Sequence, residues 1–350
     1  MAGGRRMRFL RLYSCLIIAI ILMAPSQGLA TSISTKAPST SPAKSEWDER
    51  MELFIEYEAL YGIPWKYVAA IDQYERTIKK KSKNKEAESA NKRLTAIKVP
   101  TELWCGVFNP DSEDNHLTSI TFFHGIGLDG SGDGVADQDN DRDVLTSLVR
   151  FLGTYGFNSD DFKIGLWNYY KRDSAVRTIM HFSRIYEKFQ TLELNKHAFP
   201  IPKRFSYSYR STWGDPRGWG GRRIHEGVDI FAGYSTPVMS TGYGVVEVLG
   251  WNRYGGWRVG IRDIDNIYHY FAHLSSFKKG LKEGDIVVPG EVIGYVGSSG
   301  YGKPGTSGKF PPHLHYGTYR DTGNNEWAFD PYPLLKRWEN QKKQPKPIYK

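Results

Sequence analysis

Near residue 204 the sequence changes its period. Before that point apolar residues recur at three- and four-residue spacing, through Met51, Phe54, Ile55, Tyr57, Leu60 and Tyr61 and again through Val68, Ala69 and Ile71, which is the stripe of a helix buried along one side. Gly62-Ile63-Pro64 breaks this stripe into two helices. The helical pattern returns from Val144 to Tyr155 and from Ala175 to Phe189, and Pro200 and Pro202 fall in a connecting stretch of mixed polarity. Beyond it glycine is frequent. Short β-branched runs at Val245–Val248, Trp257–Ile261, Ile286–Val288 and Val292–Val296 are separated by turn residues. The two periods occupy separate stretches, so the expected fold is α+β and multidomain: an all-α domain over 47–190, a linker over 191–204, a mainly antiparallel β domain over 205–335 and a basic tail over 336–350. A chain of 350 residues can bury a core in each domain.

The first thirty residues read as a secretory signal. Basic residues run to Arg11, an apolar stretch follows from Cys15 to Ala24, and Gly28-Leu29-Ala30 supplies small residues for cleavage. The apolar stretch is well short of the roughly 20 residues that span a bilayer, so cleavage is favoured over an uncleaved membrane anchor. Residues 31–46, rich in Ser, Thr and Pro, form a linker. The formal charge of +9 includes four arginines of the signal, and the remaining +5 suits an anionic wall polymer. Export argues against nucleic acid. With only Cys105 left after cleavage, the exported chain has no internal disulfide.

Five of the nine histidines lie in the β half: His225, His269, His273, His313 and His315. His225-Glu-Gly-Val-Asp229 reads as a loop entering a strand, and alternation along a strand puts His313 and His315 on one face. Imidazoles combined with a carboxylate suit zinc, and three protein ligands leave the fourth tetrahedral position for water, as in catalytic sites. Zinc brings the pKa of such a water toward about 7. A further histidine then serves as base or transition-state donor. His269 shares parity with His273, and for it, as for His116, His124, His181 and His197, a hydrogen-bonded structural role is the simpler reading.

Four segments together resemble the lysostaphin/LytM family of zinc metallopeptidases: residues 239–246 (MSTGYGVV), 271–274 (FAHL), 283–297 (EGDIVVPGEVIGYVG) and 312–316 (PHLHY). The resemblance covers about 205–335, with one departure at Phe271, where tyrosine is common. It implies a small antiparallel β scaffold, hydrolysis of peptide bonds in peptidoglycan, one zinc ion held by His225, Asp229 and His315, and His273 and His313 as the active-site histidines that do not bind the metal. Trp213, Trp219, Tyr234, Tyr301 and the loop Gly297–Gly308 are candidates to line a groove for an extended peptide. The two-domain layout is similar to that of sporulation-associated L-Ala–D-Glu peptidases, which implies wall remodelling that extends to the spore cortex.

The stretch Tyr61–Glu75 resembles the opening of lysozyme-like lytic transglycosylase domains, where a helix ends in a catalytic glutamate, and Trp167-Asn168-Tyr169-Tyr170 is loosely similar to their later Tyr-Asn element. A buried Glu75 with a raised pKa would protonate a glycosidic oxygen. The alternative is a solvated or structural Glu75 in a glycan-binding or spacer domain, and the basic run Lys79–Lys85 would favour its ionised form. Asp129, Ser131, Asp133 and Asp137 hold positions 1, 3, 5 and 9 of a calcium-type loop with Gly134 at position 6, but position 12 is Asn140. The same loop also reads as an acidic turn capping the next helix. The expected protein is therefore an exported zinc endopeptidase acting on peptidoglycan peptide and glycan. Its alternatives are a glycan-cleaving enzyme working through Glu75 and a non-catalytic wall-binding scaffold.

Overall fold

The computed structural model describes residues 44–79, 93–218, 221–343 and 345–349. The signal segment, the linker up to residue 43, the basic run from 80 to 85 and Trp219 lie outside the described residues. Helices α1 (Glu46–Tyr61), α2 (Trp65–Ile78), α3 (Thr101–Cys105), α4 (Leu117–Phe122), α5 (Asp141–Gly153), α6 (Ser159–Tyr170) and α7 (Asp173–Phe189) make the first half. Ser45 opens α1 with a capping box, in which its hydroxyl accepts from the Asp48 amide and the Asp48 carboxylate reaches back to the Ser45 amide. Gly62, at φ 74°, closes α1 in the left-handed conformation that glycine adopts without strain.

Helix α2 is buried from Tyr67 to Glu75 on every side, so its polar residues need partners inside the protein. Asp72 pairs with Arg50 and Arg76, Gln73 donates to the Ile264 carbonyl at 2.9 Å, and Glu75 accepts from the Tyr170 hydroxyl at 2.7 Å.

The second half contains β1 (Tyr207–Tyr209), β2 (Pro216–Arg217), β3 (Arg223–Ile224), β4 (Val228–Ala232), β5 (Pro237–Met239), β6 (Gly244–Asn252), β7 (Gly256–Asp263), β8 (Ile267–Phe277), β9 (Ile286–Val287), β10 (Val292–Val296), β11 (His313–Asp321) and β12 (Glu326–Phe329), followed by α8 (Tyr332–Glu339). Among the described residues ten strands form one antiparallel sheet with β1, β4, β11, β8, β7, β6 and β9 in that order across it, while β2 and β3 form a separate hairpin. The expected β-branched runs fall in β6, β7, β9 and β10. The eleven-residue β8 is less apparent in the sequence because tyrosines and histidines interrupt its apolar alternation.

Each half has its own buried cluster, one around Phe54, Val68, Leu148 and Phe182 and the other around Val228, Phe271, Leu314 and Trp338. Val245 and Ile264 of the β half belong to the helical cluster. Polar bonds cross the same boundary: Asn266 donates to Thr77 at 3.1 Å, Arg172 pairs with Asp321 at 2.7 Å, and Lys188 donates to the Ile286 carbonyl at 3.0 Å. The described residues from Lys44 onward accordingly cluster as one compact unit. Among the described residues no helix is long and apolar enough to cross a membrane.

Candidate active site

Strands β4 and β11 bring the first chemistry together. In their antiparallel register His315 lies directly opposite Asp229, so the two side chains share a face. His225 enters from the loop before β4, where its Nδ1 lies 2.8 Å from the Thr212 carbonyl and therefore donates to it. That bond leaves the Nε2 lone pair directed inward. His225 Nε2 lies 2.8 Å from His315 Nδ1, and each nitrogen is 3.1 Å from Asp229 Oδ1. Arg217 donates to the other carboxylate oxygen, Oδ2, at 2.6 Å and so orients Oδ1 toward the imidazoles. Nothing in the sequence singled out Arg217, because its role depends on the fold of the 212–217 loop.

Gly227 is required by this geometry, since an added Cβ would lie 2.6 Å from His315 Cε1 and 2.7 Å from the Tyr316 carbonyl oxygen. Two imidazole nitrogens and a carboxylate oxygen, with His225 Nδ1 and Asp229 Oδ2 already bonded elsewhere, fit a divalent cation of borderline hardness.

His313 and His273 flank this set. His313 Nδ1 donates to the Pro311 carbonyl at 2.9 Å, leaving Nε2 3.7 Å from Asp229 Oδ1. His273 Nδ1 donates to the Ser299 carbonyl at 2.7 Å, and its ring centroid is 4.8 Å from that of His313. Burial, against the opposing charge of Asp229, pushes the pKa of both histidines below the usual range, as it does for His315. They therefore stay neutral at neutral pH, with lone pairs facing the cleft.

Strand parity alone misplaces His273. His315 faces Ala272 across β11 and β8, so simple alternation would put residue 273 on the opposite face. The β7–β8 register slips by one residue between Trp257 and Val259. His273 itself has φ 62°, a conformation rarely adopted by a residue with a side chain. The bulge turns its imidazole onto the cleft face, a recognised use of bulges beside active sites.

His269, four residues earlier, does not share that face. It is buried, with Nε2 2.7 Å from Asp263 Oδ2 and Nδ1 2.6 Å from the Tyr316 hydroxyl. The cleft over the His/Asp set measures about 580 Å³, and of the proposed groove residues described here it takes in Tyr301 but neither Trp213 nor Tyr234. Tyr254, Tyr270 and Phe310 line it as well.

The helical half has a different cleft, about 530 Å³, lined by Glu75, Lys98, Tyr169 and Tyr170. Burial raises the Glu75 pKa to about 7, against the Tyr170 hydrogen bond and the Lys98 charge, which lower it.

The acidic loop differs from its expected ligand set. The carboxylates that approach one another are those of Asp129, Asp133 and Asp143, without Ser131 or Asp137. Asp129 accepts the backbone amides of Gly132, Asp133 and Gly134, and Asp143 accepts those of Gly130, Ser131 and Asp137. Ser131 donates its hydroxyl to Asp129, and Asp137 accepts from the Asp139 amide. These bonds serve the loop's own backbone and the start of α5, so the calcium reading has no support.

A cluster of histidines and one carboxylate at the floor of a cleft, on an antiparallel sheet, defines a hydrolase of the metallopeptidase type. Peptidase family M23 matches residues 223–331, which span the whole cluster. The L-Ala–D-Glu endopeptidase of Bacillus subtilis (strain 168) is 55% identical over 298 residues, 85% of this chain and 90% of that protein. The chain belongs to peptidase family M23 and is an endopeptidase. Lysostaphin of Staphylococcus simulans is 36% identical over 115 residues, 32% of this chain and 22% of its own length. A solved structure of a putative glycyl-glycine endopeptidase lytM from Ruminococcus gnavus is 35% identical, covering 55% of this chain and 76% of that one at a TM-score of 0.40.

Proposed function

We propose that this protein is an exported zinc endopeptidase of peptidoglycan that cleaves the L-Ala–D-Glu bond of the stem peptide during wall remodelling, including that of the spore cortex. The observation that carries this reading is the convergence of His225 Nε2, Asp229 Oδ1 and His315 Nδ1 on one point at the floor of a peptide-sized cleft. The 55% identity to an L-Ala–D-Glu endopeptidase supports the choice of bond. Zinc, held by these three residues, would supply a Lewis acid and acidify a water near neutral pH.

The chain's own residues supply the rest. The Thr212 carbonyl and the Arg217 guanidinium hold His225 and Asp229 in orientation. His273 and His313, neutral and anchored through Nδ1, present Nε2 to the reacting carbonyl. There they accept a proton or donate to the developing oxyanion. The aromatic rings of Tyr301 and Phe310 pack on His273 and keep its imidazole fixed. The test is digestion of purified peptidoglycan by wild type and His313→Ala, with and without a chelator, followed by mass spectrometry. New glutamate amino termini that vanish with His313→Ala or chelator support the reading, and their absence from the wild-type digest refutes it.

A second reading is favoured by Glu75. We infer that the helical half is lysozyme-like and engages glycan, with a protonated Glu75 beside Tyr170 as a general acid toward a glycosidic oxygen. Anhydro-muramyl or reducing sugar ends that disappear with Glu75→Gln support it. Sugar ends that persist in that variant, or that never form, exclude it.

A further inference from the structure

The β2–β3 hairpin carries an arrangement that the metal site does not explain. Arg217 and Arg223 are direct cross-strand partners in it, which puts their Cβ atoms roughly 5 Å apart, and like charges so placed repel. One of the two is compensated, since Arg217 is paired with Asp229 at 2.6 Å. Arg223 is exposed, lines the same cleft, and lies over the Tyr254 ring at 5.3 Å. The remaining acid lining the cleft, Glu226, is hydrogen-bonded to the Tyr319 hydroxyl at 3.3 Å. Among the described residues no carboxylate lies within ion-pair distance of Arg223.

We propose that Arg223 is a specificity residue that binds the free carboxylate of an acidic residue on the amine side of the scissile bond. The inference rests on the peptidase reading above and deepens it. A glutamate that continues a peptide through one of its carboxyl groups keeps the other as a free anion, only a few bonds from the scissile nitrogen. The scissile carbonyl must sit over the His225/Asp229/His315 set. Arg217 reaches that set directly, and Arg223 is its immediate neighbour on the hairpin. An anion bound there would relieve the arginine repulsion. It would also meet a planar fork already held against an aromatic face, the geometry in which arginine binds carboxylates through two parallel hydrogen bonds.

The test uses the full chain loaded with zinc and two synthetic stem peptides that differ only in whether the glutamate carboxylate is free or amidated. Wild type is expected to favour the free carboxylate by roughly 10- to 100-fold in kcat/KM, mostly through KM, as befits a charge-assisted bond. Arg223→Gln should reduce that preference to within about threefold of unity, and Arg223→Lys, which keeps the charge but loses the fork, should fall between. A wild-type preference that survives in Arg223→Gln overturns the inference, as does a wild type that treats the two peptides alike, and both leave the peptidase reading standing. A wild type that cuts neither peptide between alanine and glutamate overturns the peptidase reading and this inference with it.

Discussion

The β half and the helical half each present a cleft with titratable groups at its floor, and they differ in how the chemistry is built. In the β half five side chains from three strands and a loop converge, and His225, His273 and His313 are each anchored through Nδ1 to a backbone carbonyl while His315 lies opposite Asp229 across two strands. In the helical half one carboxyl, Glu75, owes its raised pKa chiefly to burial, with the Asp72 charge adding to it and a single hydroxyl as hydrogen-bond partner. A site assembled from several residues fixes a reaction, because each group limits what the others can do. A lone perturbed carboxyl fixes only a protonation state.

The sharpest way to break this comparison is to remove the proposed metal ligands. His315→Ala, or treatment with a chelator, should abolish peptide cleavage while leaving the helical content seen by circular dichroism intact. His273→Ala and His313→Ala should each lower kcat by about 10²- to 10⁴-fold with the metal still bound, measurable by steady-state kinetics alongside metal analysis. Gly227→Ala forces a methyl group against the His315 ring and should weaken metal affinity by about 10- to 100-fold, checked by titration with a competing chelator.

A separate effect falls on the helical half and appears in stability rather than in peptide cleavage. Folded Glu75 titrates near 7 and the ordinary glutamate value is 4.5, so the folded state retains the extra proton between those values. The stability linked to this proton is fully present below about pH 4.5 and is lost as pH rises through 7, reaching about 3 kcal/mol by pH 8. Glu75→Gln should remove that pH dependence, raising the urea midpoint at pH 8 and hardly changing it at pH 5, while peptide cleavage stays at the wild-type rate.

Much of the β half is legible in sequence because its chemistry uses rare residue types at fixed spacing. His225, Asp229 and His315 are recognisable as a set, and the glycine between the first two is explained by the approach of His315. What sequence does not reveal are features that depend on register. The bulge that turns His273 onto the cleft face inverts the parity it would otherwise share with His269, and Arg217 becomes a partner of Asp229 only after the 212–217 loop folds over it. The helical half is legible as helices, from the Gly62-Ile63-Pro64 break and the returning stripes. Helix α6 is less so, since its buried face of Phe162, Gly165, Leu166 and Tyr169 includes a glycine and dilutes the periodic signal. The effect of burial on Glu75 is likewise invisible in sequence. There the nearby basic run pointed to an ionised carboxylate, and burial raises the pKa toward the protonated form instead, against the Tyr170 hydrogen bond.

The central claim is that one cluster, His225, Asp229 and His315, performs the peptide cleavage. Its most direct test is the identity of the new chain ends when purified peptidoglycan is digested by wild type and by His315→Ala and the products are sequenced by mass spectrometry. The account predicts glutamate amino termini and alanine carboxyl termini with wild type and neither with the variant. The same peptide ends released by His315→Ala at the wild-type rate would contradict it.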